Sequence, residues 1–178
     1  SPGLFREAFV EFAKSGTDKL VLDLRGNPGG YLEAAVDMAS WFLPKDTVVV
    51  REEYGKGQGE DVERSRGYAT FTNKLKMVIL VDGGSASASE ILAGALKEHK
   101  VATLVGQKTF GKGSVQELIN VTPDTNLKVT IARWLTPNGV SISEKGITPD
   151  VEVKMTQADF EAKRDPQMDK AIEILLKK

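Results

Sequence analysis

The stretch MVILVDGGSASASEILAGALKE, residues Met77–Glu98, decides the fold of this 178-residue chain. Its first five residues, Met77–Val81, are all apolar and predict a strand that is covered on both faces, as in parallel sheets. A turn rich in glycine and serine follows, and apolar residues at helical spacing then predict a helix over about Ala88–Glu98. A buried strand that leads directly into a helix is typical of layered α/β proteins.

The segments on either side continue this alternation of strands and helices. Upstream, apolar spacing predicts a helix that ends at Gly16, a mostly buried strand at Lys19–Leu24 and a helix at Tyr31–Leu43. Further elements are predicted as strands at Thr47–Arg51, Ala102–Gly106, Ser114–Val121 and Leu127–Trp134, and as a C-terminal helix at Pro166–Lys178. We therefore predict an α/β fold with a core over residues 1–155 and a helical tail over residues 156–178.

The composition excludes several kinds of chemistry. The chain has no cysteine and a single histidine, His99, so thiol nucleophiles, iron–sulfur clusters and zinc sites with cysteine or several histidine ligands are excluded. Its 24 basic and 25 acidic residues give a formal net charge of −1, without the basic footprint of a nucleic-acid-binding protein. No apolar run approaches the roughly 18–20 residues of a membrane span, and no signal peptide is recognised. We expect no metal and no cofactor.

Three loops after predicted strands are rich in glycine and small polar residues, and ligands bind beyond strand ends in open α/β sheets. The first is Asn27–Gly30, where a glycine pair precedes a predicted helix. Backbone N–H groups there can point outward at an anion, assisted by the positive end of the helix. A tight strand-to-helix turn without a ligand explains the same residues equally well, and the sequence leaves both interpretations open.

The second loop contains three alternating serines, Ser85, Ser87 and Ser89. A serine at a helix N-terminus after a buried strand is placed to act as a nucleophile, with the N–H of the next residue available to an oxyanion. Ser87 and Glu90 also match the S-x-x-E capping box, which is a structural role. Spacing alone does not rank the three serines.

A serine nucleophile needs a general base, and position decides between the candidates. His99 lies twelve residues after Ser87, about 18 Å along an unbroken helix, and Lys97 is excluded for the same reason. In the third loop Lys112 lies between two glycines, where backbone segments can approach closely. Ser-Lys dyads are an accepted variant of serine catalysis, and a dry pocket between apolar strands would favour the neutral lysine that a base requires.

The third loop also resembles a phosphate-binding loop. Residues Gly106–Lys112 match the first seven places of G-x-x-x-x-G-K-[ST], but Gly113 stands where the hydroxyl is needed. The following residues predict a strand, whereas such loops require a helix to hold the phosphates. Nucleotide binding is therefore a distant third among the functional hypotheses.

Three blocks taken together resemble the carboxyl-terminal processing proteases, also called tail-specific proteases. They are LVLDLRGNPGG (Leu20–Gly30), GGSASASEILAGAL (Gly83–Leu96) and LVGQKTFGKGSVQ (Leu104–Gln116), and GVSISEKGITPDVEV (Gly139–Val153) is similar as well. The likeness covers about Lys19–Val153 in the family's order and spacing. It implies a serine endopeptidase with a crotonase- or ClpP-like α/β core that cleaves polypeptides near their C-termini.

The resemblance also implies a role for individual residues. Ser87 matches the family's nucleophile, Lys112 its general base and Gln116 the glutamine that orients the lysine. The backbone N–H groups of Gly30 and Ala88 match its oxyanion hole.

Members of this family are typically exported and carry an upstream PDZ domain, which captures the substrate C-terminus as an added strand. The resemblance therefore implies polypeptide substrates and an extracytoplasmic location, in the periplasm or cell envelope. No counterpart of the PDZ domain is recognised here, so we expect an N-terminally truncated core. The C-terminal helix would pack onto this core or mediate self-association into a homo-oligomer. The alternative function is an inert binding or scaffolding fragment of the same fold.

Overall fold

A computed structural model describes residues 2–55, 57–68 and 75–177. The helices are α1 (Pro2–Ser15), α2 (Leu32–Ala39), α3 (Ala88–Glu98), α4 (Gln157–Glu161) and α5 (Pro166–Leu176). The strands are β1 (Lys19–Asp23), β2 (Val48–Tyr54), β3 (Glu60–Arg64), β4 (Lys76–Val81), β5 (Ala102–Gly106), β6 (Ser114–Thr122), β7 (Thr125–Leu135) and β8 (Val151–Glu152). Lys178, the last residue of the predicted C-terminal helix, lies outside the described residues.

The strands form two four-stranded sheets. The first has the order β1-β4-β5-β8 and its neighbouring strands are parallel. The second has the order β3-β2-β7-β6 and is antiparallel. The predicted α/β fold is confirmed.

Strand β4 divides the core into two layers because successive side chains of a strand point to opposite faces. Met77, Ile79 and Val81 belong to the larger cluster, which contains the buried residues of α2 and α3. Val78 and Leu80 belong to a smaller cluster with residues of α5. The parallel sheet is thus covered on both faces, as the continuous apolar run of β4 predicts.

Several predicted elements differ in burial or extent. Strand β1 is half-buried rather than mostly buried, because it pairs only with β4 among the described strands and forms an edge of its sheet. Helix α2 ends at Ala39, and turns continue the chain towards Leu43. Strands β3 and β8 and helix α4 are not predicted from the sequence.

The antiparallel sheet extends into a ribbon formed by β6 and β7. Within the described residues β6 has one strand neighbour, β7, and most of its side chains are exposed. Leu118, Val121 and Leu127 are more than half exposed, at 62%, 61% and 53%. None of the helices in the described part of the chain is long and apolar enough to cross a bilayer.

Candidate active site

The three serines after β4 differ in their surroundings. The Ser85 hydroxyl is buried, donates to the Leu24 carbonyl at 2.7 Å and accepts the Asp82 N–H at 3.0 Å, so it joins two loops. Ser87 is the N-cap of α3, and its side chain makes no cap hydrogen bond. Ser89 lies in the first turn of α3. Of the three, Ser87 is the residue at the start of the helix with its hydroxyl uncommitted to the cap.

The backbone of Ser87 is strained. Its φ of 56° and ψ of −121° lie outside the helical and extended regions, and such conformations cluster at functional sites in proteins. Ser87 and Glu90 form the predicted capping box, in which the Glu90 carboxylate accepts the Ser87 N–H at 2.9 Å. The Ser87 carbonyl also accepts the Glu90 N–H at 2.8 Å.

Glu90 connects the turn between β4 and α3 (the serine turn, residues 82–87) to the loop between β5 and β6 (the lysine loop, residues 107–113). Its side chain is fully buried, at 0% exposure. Oε2 accepts the N–H groups of Ser87 and Lys112, each at 2.9 Å. Oε1 accepts the Gly111 N–H at 2.7 Å and the Thr109 hydroxyl at 2.5 Å. A buried carboxylate requires such donors, so Glu90 fixes the two loops relative to each other.

The glycine-rich loop after β1 lies directly against the serine turn. Gly29 has a φ of 91°, and a Cβ atom there would lie 2.5 Å from the Ala86 carbonyl oxygen and 2.7 Å from the Ala88 nitrogen. Asn27 accepts the Ala86 N–H through its backbone carbonyl, at 3.0 Å. Only glycine permits this approach, which places Gly30 next to the turn that contains Ala88.

A recess of about 200 Å³ opens where these two loops meet. Gly30 and Ala88, the two residues of the predicted oxyanion hole, both line it. Most of its other lining residues have apolar or aromatic side chains: Leu24, Tyr31, Ala34, Ala35, Met38 and Leu92. The structure thus brings the two proposed oxyanion residues together at the edge of an apolar recess.

The glycines on both sides of Lys112 allow the close backbone approach that the sequence predicts. A Cβ atom on Gly113 would lie 2.4 Å from the Ser143 nitrogen, and Gly111 has a φ of 91°. The Gly111 carbonyl also accepts the Glu144 N–H at 2.9 Å. The backbone of the lysine loop is therefore held on two sides, by Glu90 and by residues 142–146.

The side chains of the predicted base and of its partner are not enclosed. Lys112 is exposed, and Gln116 lies on the exposed part of β6, paired with Thr130 of β7. The described residues form no dry pocket around Lys112, because the chain leaves the core there and enters the projecting ribbon. The structure brings the backbones of Ser87 and Lys112 together and leaves the lysine and glutamine side chains open to solvent.

The rejected candidates lie where the sequence places them. His99 is the C-cap of α3, and its Nε2 is 2.7 Å from the Val48 carbonyl oxygen. Lys97 donates to the Thr148 carbonyl at 2.6 Å and pairs with Asp150. After the loop that resembles a phosphate site the chain continues as β6, so the helix that such a site requires is not formed there.

Sequence reasoning missed the connecting role of Glu90 and the apolar recess. The sequence did contain one signal for Glu90: this carboxylate is followed directly by the apolar run ILAGAL. A charged side chain in such a helix has to be paired. Its partners in the lysine loop lie 19 to 22 residues away, and no local pattern identifies them.

Comparisons with known proteins agree with this architecture. The profile of peptidase family S41 matches residues 1–153. The "Probable CtpA-like serine protease" of Staphylococcus haemolyticus is 43% identical over 155 residues, covering 87% of this chain and 31% of that protein. The protein of the same name from Staphylococcus epidermidis is 42% identical over 151 residues, covering 85% and 30%.

Among solved structures, the photosystem II D1 C-terminal processing protease superposes with a TM-score of 0.78 at 37% identity. The match covers 86% of this chain and 39% of that one. The chain thus spans about a third of the length of the curated relatives it matches.

Proposed function

The chain belongs to peptidase family S41, and we propose from this that it forms the catalytic core of a serine endopeptidase with a Ser87–Lys112 dyad that cleaves polypeptides near their C-termini. The main support is the shared oxygen of Glu90. The amide nitrogens of Ser87 and Lys112 are each 2.9 Å from Oε2, so they lie no more than twice that distance apart. The flexible four-carbon stem of a lysine can span such a separation.

In the proposed reaction the neutral amine of Lys112 accepts the Ser87 hydroxyl proton as Oγ bonds to the scissile carbonyl carbon. The carbonyl electron pair moves to its oxygen, where the N–H groups of Gly30 and Ala88 stabilise the negative charge. The tetrahedral intermediate then collapses, the peptide C–N bond breaks and the leaving amine takes the proton from Lys112. A water molecule, deprotonated by the same lysine, hydrolyses the acyl-enzyme and releases Ser87.

The exposed position of Lys112 implies that this core needs a cover to become active. A general base needs a neutral amine, and a dry environment favours that form of a lysine side chain. We propose that a bound substrate strand, or part of the longer polypeptide seen in the relatives, covers the ribbon and excludes water from the side chain of Lys112. Gln116 lies four residues further along the chain and would then hold Lys112 towards Ser87.

The apolar recess supports a polypeptide substrate. Its lining of leucine, alanine and methionine side chains suits an uncharged side chain next to the scissile bond, and it adjoins the residues that would bind the oxyanion. We further propose that residues 1–155 are the catalytic core and that a PDZ domain elsewhere in the polypeptide delivers the substrate. On the same family grounds we propose an extracytoplasmic location. We also propose that the chain can associate into a homo-oligomer.

One observation favours the second candidate, an inert binding or scaffolding fragment of the same fold. The proposed base and the proposed orienting glutamine are both exposed in the chain alone. If nothing covers the side chain of Lys112, the fragment would keep the backbones of Ser87 and Lys112 close together without activating the serine.

Cleavage of an unfolded protein by the wild-type chain, Ser87→Ala and Lys112→Ala distinguishes these functions. Lys108→Ala is the matched control, because Lys108 is an exposed lysine of the same loop. We expect cleavage by the wild type and the control only, and products that end near the substrate C-terminus by mass spectrometry. Equal cleavage by all four proteins would overturn the dyad. No cleavage by the wild type would support the inert fragment.

A further inference from the structure

We infer that the C-terminal helix α5 positions the glycine-rich loop of the active site, through a contact between Asp165 and Arg25. The helix lies beyond residues 1–153, which the family profile matches. The inference rests on the proposed function only for its effect on catalysis. Its structural part, the coupling of α5 to the loop, stands on the contacts alone.

The Arg25 guanidinium is held between two carboxylates. Nη2 donates to Asp23 Oδ2 at 2.7 Å and to Asp165 Oδ2 at 2.8 Å. Nη1 donates to Asp165 Oδ1 at 2.9 Å and to the Gln167 side-chain oxygen at 3.0 Å, and Nε donates to Asp23. Paired hydrogen bonds from a planar fork fix orientation as well as distance, so Asp23 and Asp165 together hold Arg25 in one position.

The partners of Arg25 on α5 are themselves fixed. Asp165 is the N-cap of α5 and accepts the Met168 N–H at 2.9 Å. Gln167 is fully buried and donates to the Val153 carbonyl at 2.8 Å. Further along the helix, Ala171 and Leu175 are buried in the cluster that contains residues of β4. The helix therefore presents Asp165 from a rigid support.

Arg25 also begins the loop that reaches the nucleophile. The next residue, Gly26, donates its N–H to Asp82 Oδ1 at 2.8 Å, and the same oxygen accepts the Gly84 N–H at 2.8 Å. Three residues later Gly29 lies against the backbone on both sides of Ser87. Loss of the hydrogen bonds from Arg25 to Asp165 should therefore loosen residues 26–30, which position the Gly30 N–H.

This arrangement predicts a specific kinetic effect. Among the described residues, those that line the apolar recess come from α2, α3 and the glycine-rich loop with the flanking residues Leu24 and Tyr31, and none comes from α5. The loop supplies the Gly30 N–H but only part of the recess, so loosening it should weaken stabilisation of the transition state more than binding of the substrate. The expected signature is a kcat that falls by a larger factor than KM rises.

Asp165→Asn tests the inference, because asparagine is as good an N-cap as aspartate and keeps α5 intact while it removes the charge and one acceptor. The control is Asp159→Asn, which breaks a comparable ion pair with Arg164 at 3.0 Å without a contact to Arg25. In the full 178-residue chain we expect faster amide exchange at residues 26–30 in Asp165→Asn only. We also expect labelling of Ser87 by a fluorophosphonate, and kcat, to fall by up to about 100-fold, since displacing a catalytic group by about 1 Å can cost that much.

Unchanged exchange at residues 26–30 in Asp165→Asn would overturn the inference, and so would faster exchange with unchanged labelling and kcat. A wild-type chain that the fluorophosphonate does not label would contradict the proposed function instead. In that case the exchange measurement still decides whether α5 is coupled to the loop.

Discussion

The serine turn and the ribbon of β6 and β7 that follows the lysine loop are built in opposite ways. Every residue of Ser85–Leu96 is buried, and the turn is tied to its neighbours by hydrogen bonds of Ser85, Ala86 and Glu90. The ribbon of β6 and β7 begins beyond Lys112 and is mostly exposed on both strands. The described residues thus fix the backbone around Ser87 on several sides, whereas the side chain of Lys112, the predicted base, is left exposed.

The cause of the difference is the place of each segment in its sheet. The serine turn follows β4, which has strand neighbours on both sides and helices over both faces. Among the described residues, β6 has a single strand neighbour, and the parts of β6 and β7 farthest from β2 pair only with each other. Apolar side chains such as Leu118 and Val121 are therefore left exposed on this ribbon.

Removing the link between the two regions should have the largest effect. Glu90→Gln keeps the size of the side chain but replaces an acceptor by an NH₂ group that faces N–H donors, which leaves buried donors unsatisfied. We expect a loss of about 3–5 kcal/mol in the free energy of unfolding, measured by urea denaturation. The counterpart in the ribbon is Gln116→Ala, for which we expect a change below about 0.5 kcal/mol because the side chain is exposed. Equal losses in the two variants would show that the regions do not differ as described.

A second pair of variants tests the contact between the glycine-rich loop and the serine turn. In Gly29→Ala the new Cβ would lie 2.5 Å from the Ala86 carbonyl oxygen at a φ of 91°, and we expect a loss of about 2–4 kcal/mol in unfolding free energy. In Gly30→Ala the new Cβ would have no atom within 4 Å, so we expect a change of about 0.5 kcal/mol or less. Urea unfolding of both variants measures the contrast, and a stable Gly29→Ala would contradict the close packing of the two loops.

The smallest expected effect is the pH dependence of the stability that the contact between Asp165 of α5 and Arg25 contributes. The hydrogen bonds from Arg25 lower the pKa of Asp165 below its ordinary value of 3.8. The ionised carboxylate is thus favoured in the folded state, and its contribution to stability is fully present above pH 3.8 and is lost as the pH falls through the lowered pKa. The difference in Tm between the wild type and Asp165→Asn should therefore be constant from about pH 5 to 7 and shrink below about pH 4. A difference that grows with acidity has the wrong sign for this contact.

The sequence predicts the buried region well because its patterns are local. The boundaries of α3 and β5 agree with the predicted Ala88–Glu98 and Ala102–Gly106, since apolar periodicity and a turn define both elements. Strand β3 was missed because EDVER has little apolar character and is formed by pairing with β2. Such a strand is stabilised by its neighbour β2, and the local sequence of β3 does not show this pairing.

For the candidate site, the sequence supplied the residue types, and the structure added the relation between them. Proximity of Ser87 to the loop of Lys112 follows from contacts across 19 to 22 residues through Glu90, which no spacing rule anticipates. The exposure of Lys112 was equally hidden, because it depends on where the ribbon leaves the core. The roles of Ser87, Lys112 and Gln116 stay predictions until the variants are measured.

The four donors around Glu90 also bear on how the molecule folds. A carboxylate at 0% exposure is tolerated only when its hydrogen bonds are complete, and a partly satisfied buried network is strongly unfavourable. We therefore expect the start of α3 and the segment from Thr109 to Lys112 to come together cooperatively. The proposed dyad would then be assembled only in the complete fold, and a partly folded chain would lack it.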